Sequence, residues 1–311
     1  MKKIFLTGLA AGLQTTWTLG KVIFPVTLLV TLLQHTPVMD WLVRLITPVM
    51  GLFGLSGEAA IPLVLGNMLN LYAGIAGILT LDLSVKEVFI LAVMLSFCHN
   101  LIIESTVAAK VGIRIGVILS VRIGLAAVSA IVINLIWHGG QETAQYGFIA
   151  PKSAAPDGWL AMLAEGLTKA GLGVLQLAAI VIPLMIIIQF LRDLGWLHRF
   201  SRWLSPFTLL GMNKNTSMTM VAGLTIGLAY GAGVMIKAVE DDGVSRRDMT
   251  LAFIFLVACH AVVEDTLVFI PLGIPVWPLL LIRVTTAVLL TMIIAHTWKK
   301  WKPSAVGKEA I

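Results

Sequence analysis

One eight-residue pattern occurs twice, and it constrains the fold more than any other feature of the chain. It reads Cys98-His99-Asn100-Leu101-Ile102-Ile103-Glu104-Ser105, and then Cys259-His260-Ala261-Val262-Val263-Glu264-Asp265-Thr266. The copies stand 161 residues apart. The same offset links Ser84 to Ser245, Lys86 to Arg247, Glu87 to Asp248, Gly112 to Gly273 and Arg122 to Arg283. Residue type and spacing kept together over such a span indicate an internal duplication, hence two copies of one structural unit. Upstream, Pro25 and Pro183, like Pro48 and Pro206, keep an offset of 158 (183 − 25, 206 − 48). The second copy therefore gains three residues, expected in its glycine-rich middle segment.

Both copies of the pattern end apolar runs, and here composition matters. Of 311 residues, 58% are hydrophobic and 12% charged, with a mean hydropathy of +0.95. A soluble domain carries about 25% charged residues. An all-α polytopic membrane protein follows, because an apolar solvent demands that backbone groups be satisfied within the segment. The net charge of +6 is assigned to cytoplasmic loops and lipid head groups, not to nucleic acid. Cys98 and Cys259 read as small buried hydrophobes without a disulfide framework. No GxxxxGK[ST] motif is present, so no nucleotide engine is expected in these residues. No nucleophile–base arrangement is legible, and catalysis is not expected.

The segment order repeats. In the first half, the positively charged start Lys2-Lys3 reads as an amphipathic lead-in that is not cleaved. A helix follows over 17–34, then an interfacial helix over 38–55 and an apolar segment over 58–81 interrupted by Pro62, Gly66, Asn67, Asn70, Gly74 and Gly77. Such interruptions predict a broken or re-entrant element, tolerated only where protein buries it or a wet cavity lines it. Helices over 85–103 and 113–137 complete the unit. In the second half the counterparts are 170–191, an interfacial segment with Trp196 and Trp203, a broken segment over 216–236, and helices over 249–270 and 276–295. The domains read as a first repeat (1–138), a polar linker (139–157), a second repeat (158–298) and a basic tail (299–311). At least six spanning helices are expected, besides two re-entrant and two interfacial segments. Counting three spans per half puts Lys110, Arg114, Arg192, Arg246, Arg247 and the tail on the side of the N-terminus, which the positive-inside rule makes cytoplasmic. An odd number of spans per half inverts the repeats, and inverted repeats with broken helices are a secondary-transporter plan.

With the paired Cys-His-Asn-Leu-Ile-Ile-Glu and Cys-His-Ala-Val-Val-Glu-Asp patterns on the third element of each half, the chain resembles the nucleoside-recognition, or gate-domain, membrane proteins. That family includes spore maturation proteins A and B. Related gate domains occur in ferrous iron transport protein B and in concentrative nucleoside transporters. The resemblance covers nearly the whole chain as two gate units. It implies an interfacial helix, a re-entrant hairpin and a discontinuous helix in each half, matching 38–55, 58–81 and 85–103. It also implies transport of a nucleoside-like solute or a cation in a bacterial cytoplasmic membrane, with a proton or sodium as coupling ion. The alternative it implies is a non-transporting membrane partner of the spore-maturation type. The scaffold helices of the nucleoside transporters and the GTPase domain of the iron protein are not found here.

Ionisable groups inside a membrane are costly and mark candidate sites. His99, Asn100 and Glu104 in one copy, and His260, Glu264 and Asp265 in the other, are candidate solute or ion ligands. Imidazole with carboxylate suits a divalent transition metal, through His99, His260, Glu104 and Asp265, or a proton relay. The competing reading makes these groups caps of broken helices, paired with arginines. In an unbroken helix His260 and Glu264 would share a face, whereas His99 and Glu104 need a break to converge. Arg122 and Arg283 are the expected charge partners. Asn67, Asn70 and Tyr72, with Thr225 and Tyr230, could offer hydrogen bonds at hairpin tips, or could satisfy freed backbone groups. A transporter predicts a water-accessible cavity reaching His99 and His260. A homodimer or a membrane partner protein is compatible with small-residue apolar faces.

Overall fold

The computed structural model describes residues 2–145, 158–196, 199, 210–213, 216–228 and 244–300. Tyr230, Trp203 and the basic tail beyond Lys300 lie outside the described residues. The fold is all-α. In the first half it runs through α1 (Lys2–Gln34), α2 (Pro37–Leu52), α3 (Ala60–Met68), α4 (Leu71–Ile78), α5 (Val85–Cys98), α6 (Leu101–Lys110) and α7 (Ile115–Ile136). In the second half it runs through α8 (Trp159–Asp193), α9 (Ser217–Ile226), α10 (Arg246–Ala258), α11 (Glu264–Leu267) and α12 (Val276–Lys300).

The two longest helices show how the halves are related. Gly8 packs on Ile186, Gly12 on Ile182, Gly20 on Val174 and Gly166 on Leu28. As one number rises the other falls by the same step, so α1 and α8 run antiparallel. Gly8 and Gly166 are equivalent under the 158 offset (166 − 8), as are Leu28 and Ile186 (186 − 28). The same contact is thus made twice, once from each helix. Equivalent helices packed antiparallel are inverted repeats, and the pseudo-twofold axis crosses the pair at the level of Thr18 and Gln176. A Cβ at Gly8 or Gly12 would stand 2.7 or 2.8 Å from the Cα of the partner residue, which is why glycine occupies this seam. The first residues are therefore no separate lead-in. They are the start of α1, continuous from Lys2.

Inside this pair the segments behave as the interruptions predict. The helices α3 and α4 form a hairpin, broken at Leu69–Asn70, in which Gly66 faces Gly74 and Gly77 faces Pro62. Asn70 caps α4, its side chain accepting from Ala73 N at 2.9 Å. The stretch Val43–Leu52 and Gly57–Met68 bends by 86°. On α2, Val38, Trp41, Leu45, Val49 and Leu52 are exposed on one face, as suits a helix lying along a bilayer surface. Between the α3–α4 hairpin and α9, the helices α5 and α10 are buried on nearly every side. The outer helices α7 and α12 cover them crosswise: α5 packs on both α7 and α12, and α10 on both α12 and α7. Their outward faces, with Val128, Val132, Leu135, Leu281, Leu289 and Ile293, are apolar and exposed, as lipid contact requires.

Four described segments are long and apolar enough to cross a membrane: Val85–Lys110, Ile115–Ile136, Trp159–Asp193 and Val276–Trp298, with the bent pair as a fifth. The six expected spans are not all among them. α1 is absent from the set, and α10 stops after 13 residues at its break. Both central helices start at a serine. Ser84 and Glu87 make a full capping box, whereas Ser245 accepts from Asp248 N and the shorter Asp248 carboxylate turns to Arg247. The linker's first residues tie down the α5 N-terminus, with Val85 N and Lys86 N donating to Glu142 O and Gly140 O. These are two of the amide groups a helix start leaves unpaired. Gly66 and Gly223 play the same part, each against a leucine of the central helix, Leu95 or Leu256. They stand 157 apart (223 − 66), so the extra residues of the second copy fall between Gly223 and Val244.

Candidate functional site

Both central helices break at the duplicated motif. Asn100 and Ala261 adopt left-handed φ angles of 48° and 38°, a conformation that strains an ordinary L-residue and needs surrounding structure to hold it. The α3–α4 hairpin and α9 supply that hold. Asn100 N donates to Gly66 O at 2.8 Å, and Ala261 N donates to Gly223 O at 3.0 Å. The break turns the histidine inward and starts a new helix, so that the acid five residues later can return to it.

The two imidazoles meet on the pseudo-twofold axis. His99 Nε2 and His260 Nε2 are 3.3 Å apart. Each ring's Nδ1 is bound to a carbonyl of its own helix, His99 to Leu95 O at 2.7 Å and His260 to Leu256 O at 2.8 Å. A carbonyl only accepts, so Nδ1 carries the proton in both rings. Two carboxylates close the ring of groups. Glu104 lies 3.5 Å from His99 Nε2 and 3.2 Å from His260 Nε2, and Asp265 lies 3.9 and 3.6 Å from the same atoms. All four residues are buried, between 1% and 8% exposed.

An arginine stands behind each acid, and both guanidinium groups are fully buried. Arg122 pairs with Glu104 at 2.8 Å, donates to Phe97 O at 2.9 Å and donates to His99 O. Arg283 pairs with Asp265 at 3.2 Å, donates to His260 O at 2.7 Å and to Thr266 Oγ1 at 3.2 Å. Each arginine thus neutralises an acid and also satisfies carbonyls freed where the helix breaks. Those carbonyl partners were invisible to a reading of side chains. Their signal was the break itself, since a helix end leaves its last carbonyls unpaired. Thr266 was missed too, although its place beside Asp265 matches Ser105 beside Glu104.

The other candidates separate from this centre. Glu264 is not in the ring. It accepts from Tyr72 at 2.9 Å, a contact of α11 with α4 across the two halves. The break at Cys259–Val263 undoes the helical face that His260 and Glu264 would have shared. Asn70 is the cap described above, and Thr225 returns its hydroxyl to Val221 O at 2.6 Å within α9. Both satisfy backbone groups of their own segment. Asn67 lies beside the Cys98 thiol. The Oδ1 atoms of Asn67 and Asn100 are buried without a hydrogen-bond partner, so these two keep unused acceptors next to the first break. Cys98 and Cys259 are buried free thiols. Two cavities are defined by described residues. One, of about 490 Å³, is lined by Asp82, Ser84, Lys86, Glu87 and Asn134 at the start of α5, and the other lies along the first turns of α1. Neither of these two touches the histidine ring.

Comparison with known proteins agrees with this architecture. The chain is 96% identical, over the full length of both, to the uncharacterized membrane protein YvoD of Bacillus subtilis (strain 168). No solved structure matches it. The gate family, described as nucleoside recognition, matches residues 16–117 and again 174–274, once in each repeat. Spanning both halves and both copies of the histidine motif, these matches show that the chain belongs to the nucleoside-recognition gate family of membrane proteins.

Proposed function

We propose that the protein is a transporter that moves a small polar solute, nucleoside-like in polarity, or a cation, by alternating access between its two inverted repeats. One observation carries the reading: the buried polar groups of the membrane interior converge at one point, half from each repeat, where both central helices are broken. A transporter that rocks one repeat against the other keeps its binding groups at such a point. The ring of His99, His260, Glu104 and Asp265 is the binding centre in this reading, with the unpaired oxygens of Asn67 and Asn100 beside it. Arg122 and Arg283 hold the acids, and a proton or sodium ion drives the cycle. The buried ring then corresponds to an occluded state. We assign the protein to a bacterial cytoplasmic membrane with both termini inside. In support, Arg246 donates to Gly112 O, which joins two basic loops at one end of the molecule. The antiparallel pairing of α1 and α8 brings Lys2 and Lys3 to the same end of that pair as Arg192.

A second reading has its own observation. Each acid already has an arginine, and neither described cavity reaches the ring, as suits a static membrane subunit that binds another membrane protein. Flux separates the two. Purified protein in proteoliposomes is tested with labelled nucleosides, monovalent cations and divalent metals. The transport reading expects saturable uptake that His99→Ala and His260→Ala abolish while the variants keep their elution profile. Absence of uptake of every solute by folded protein, together with stable co-purification of a second membrane protein, refutes it in favour of the subunit.

A further inference from the structure

We infer that His99 Nε2, His260 Nε2 and Glu104 form a binding site for one divalent transition-metal ion of the zinc class, with Asp265 of the second repeat standing beside them. The inference names the ligand of the ring discussed above. It rests on the transport reading for the ion's role as cargo, but not for the existence of the site.

The first argument is the tautomer. Both Nδ1 atoms are committed as donors to Leu95 O and Leu256 O. In neutral rings both Nε2 atoms are then bare lone pairs, and they point at each other across 3.3 Å. Two carboxylates face the same spot. The arginines reach the acids from behind, but no described donor lies between the two bare nitrogens, which suits a cation bound between them.

The second argument is size. Tetrahedral zinc holds nitrogen and oxygen ligands at about 2.0–2.2 Å, which sets ligand-to-ligand edges of about 3.3–3.6 Å. Among His99, His260 and Glu104 the distances are 3.2, 3.3 and 3.5 Å, the two from Glu104 running to its two oxygens, while Asp265 stands farther out, at 3.6 and 3.9 Å from the imidazoles. Ligand atoms of His99, Glu104 and His260 all lie within 4.8 Å of one another. Imidazole with carboxylate selects zinc and its neighbours over magnesium or calcium, which take oxygen ligands.

The third argument is the outer shell. Metal-bound histidine almost always donates its other N–H to a carbonyl or carboxylate, and ligating carboxylates are themselves hydrogen-bonded. Here that shell is complete in both repeats. Leu95 O and Leu256 O orient the rings, and Arg122 and Arg283 orient the acids.

The test uses the full-length chain, purified in detergent, stripped with a chelator and shown to be monodisperse. Cobalt(II) is titrated first, because a tetrahedral cobalt centre absorbs strongly in the visible while the hydrated ion does not. Zinc is then added to displace it. The inference expects one cobalt per chain, the tetrahedral bands, and displacement by equimolar zinc. Loss of an outer-shell partner costs about 10–100-fold in metal affinity, so loss of a ligand in His99→Ala or Glu104→Gln is expected to cost at least that. Glu264→Gln, outside the ring, is expected to leave affinity unchanged. A folded wild-type protein that takes up no stoichiometric cobalt, or gives only the spectrum of the hydrated ion, overturns the inference. A single proton shared by the two rings is then what holds them together. Unchanged affinity in the His99→Ala/His260→Ala double variant overturns it equally. Should the variants not fold, the wild-type spectrum decides alone. Flux on the same preparation keeps the two readings apart: cobalt bound without flux upholds the site and sinks transport, whereas nucleoside flux without bound cobalt does the reverse.

Discussion

Arg122→Ala is the perturbation whose size the structure fixes best. The guanidinium is fully buried and holds three groups at once: the Glu104 carboxylate at 2.8 Å, Phe97 O at 2.9 Å and His99 O. Its removal leaves Glu104 buried without its arginine, and breaking a buried ion pair from one side costs about 3–5 kcal/mol. The two helix-end carbonyls lose a donor as well, at about 1–3 kcal/mol for each group left unsatisfied. These losses overlap, so a total of about 5 kcal/mol is expected, a large part of the roughly 5–15 kcal/mol that holds a typical protein folded. Lysine cannot replace it, because one ammonium lacks the planar fork that reaches a carboxylate and two carbonyls together. The assay is reversible unfolding in mixed micelles followed by tryptophan fluorescence, with the exposed Lys110→Ala as reference. Removing both charges tests the cause. Replacing a buried pair by apolar groups of similar volume is often neutral or stabilising, so Arg122→Met/Glu104→Leu is expected to be more stable than Arg122→Ala alone. If Arg122→Ala proves as mild as Lys110→Ala, or the double variant regains nothing, the account of Arg122 as the keystone of the break is wrong.

Other consequences follow from the same contacts. Gly12→Val places side-chain atoms against the Ile182 backbone, 2.8 Å from where a Cβ would sit, and should cost about 1–3 kcal/mol in the same unfolding titration, while Gly116→Ala, with open space around it, should cost far less. Asn100→Gly should be tolerated, whereas Asn100→Val should lose about 1–2 kcal/mol, the cost of a left-handed residue with a Cβ; equal stability of the two would contradict the break described here. Tyr72→Phe removes the hydrogen bond to Glu264 and should cost about 1.5–3 kcal/mol, and a double-mutant cycle with Glu264→Gln should be non-additive; simple additivity would mean the two halves are not coupled there.

Much of the fold was legible because duplication leaves a record in numbering. The offset of 161 tied the two motifs together, and Pro25 with Pro183 tied the long helices. Glycine and asparagine inside an apolar run correctly placed the hairpin over 58–81. The site was half legible. That His99 and Glu104 meet only across a break followed from their spacing, and the arginine partners followed from the cost of a lone charge in a membrane. The fate of Glu264 did not follow. Its neighbour Tyr72 lies 192 residues away, and no local pattern encodes a contact across two repeats. Asn70 and Thr225 offered the same side-chain chemistry whether they served a solute or their own backbone, and only geometry decides between those uses. The antiparallel seam of α1 and α8 was hidden for a different reason. Small residues along an apolar helix show that something packs closely, not what does.

The left-handed pivots and the acids of the ring bear on directionality. A device built from two interchangeable halves facing opposite sides would, if the halves were identical, rest equally well open to either side. Any bias toward one side must therefore come from positions where the copies disagree. At the centre these include Asn100 against Ala261, Ile103 against Glu264, Ser105 against Thr266, and Glu104 against an aspartate one methylene shorter that sits farther from both imidazoles. In the transport reading, the energy difference between inward- and outward-facing forms lies in such pairs, and exchanging them between the halves is expected to invert the resting state.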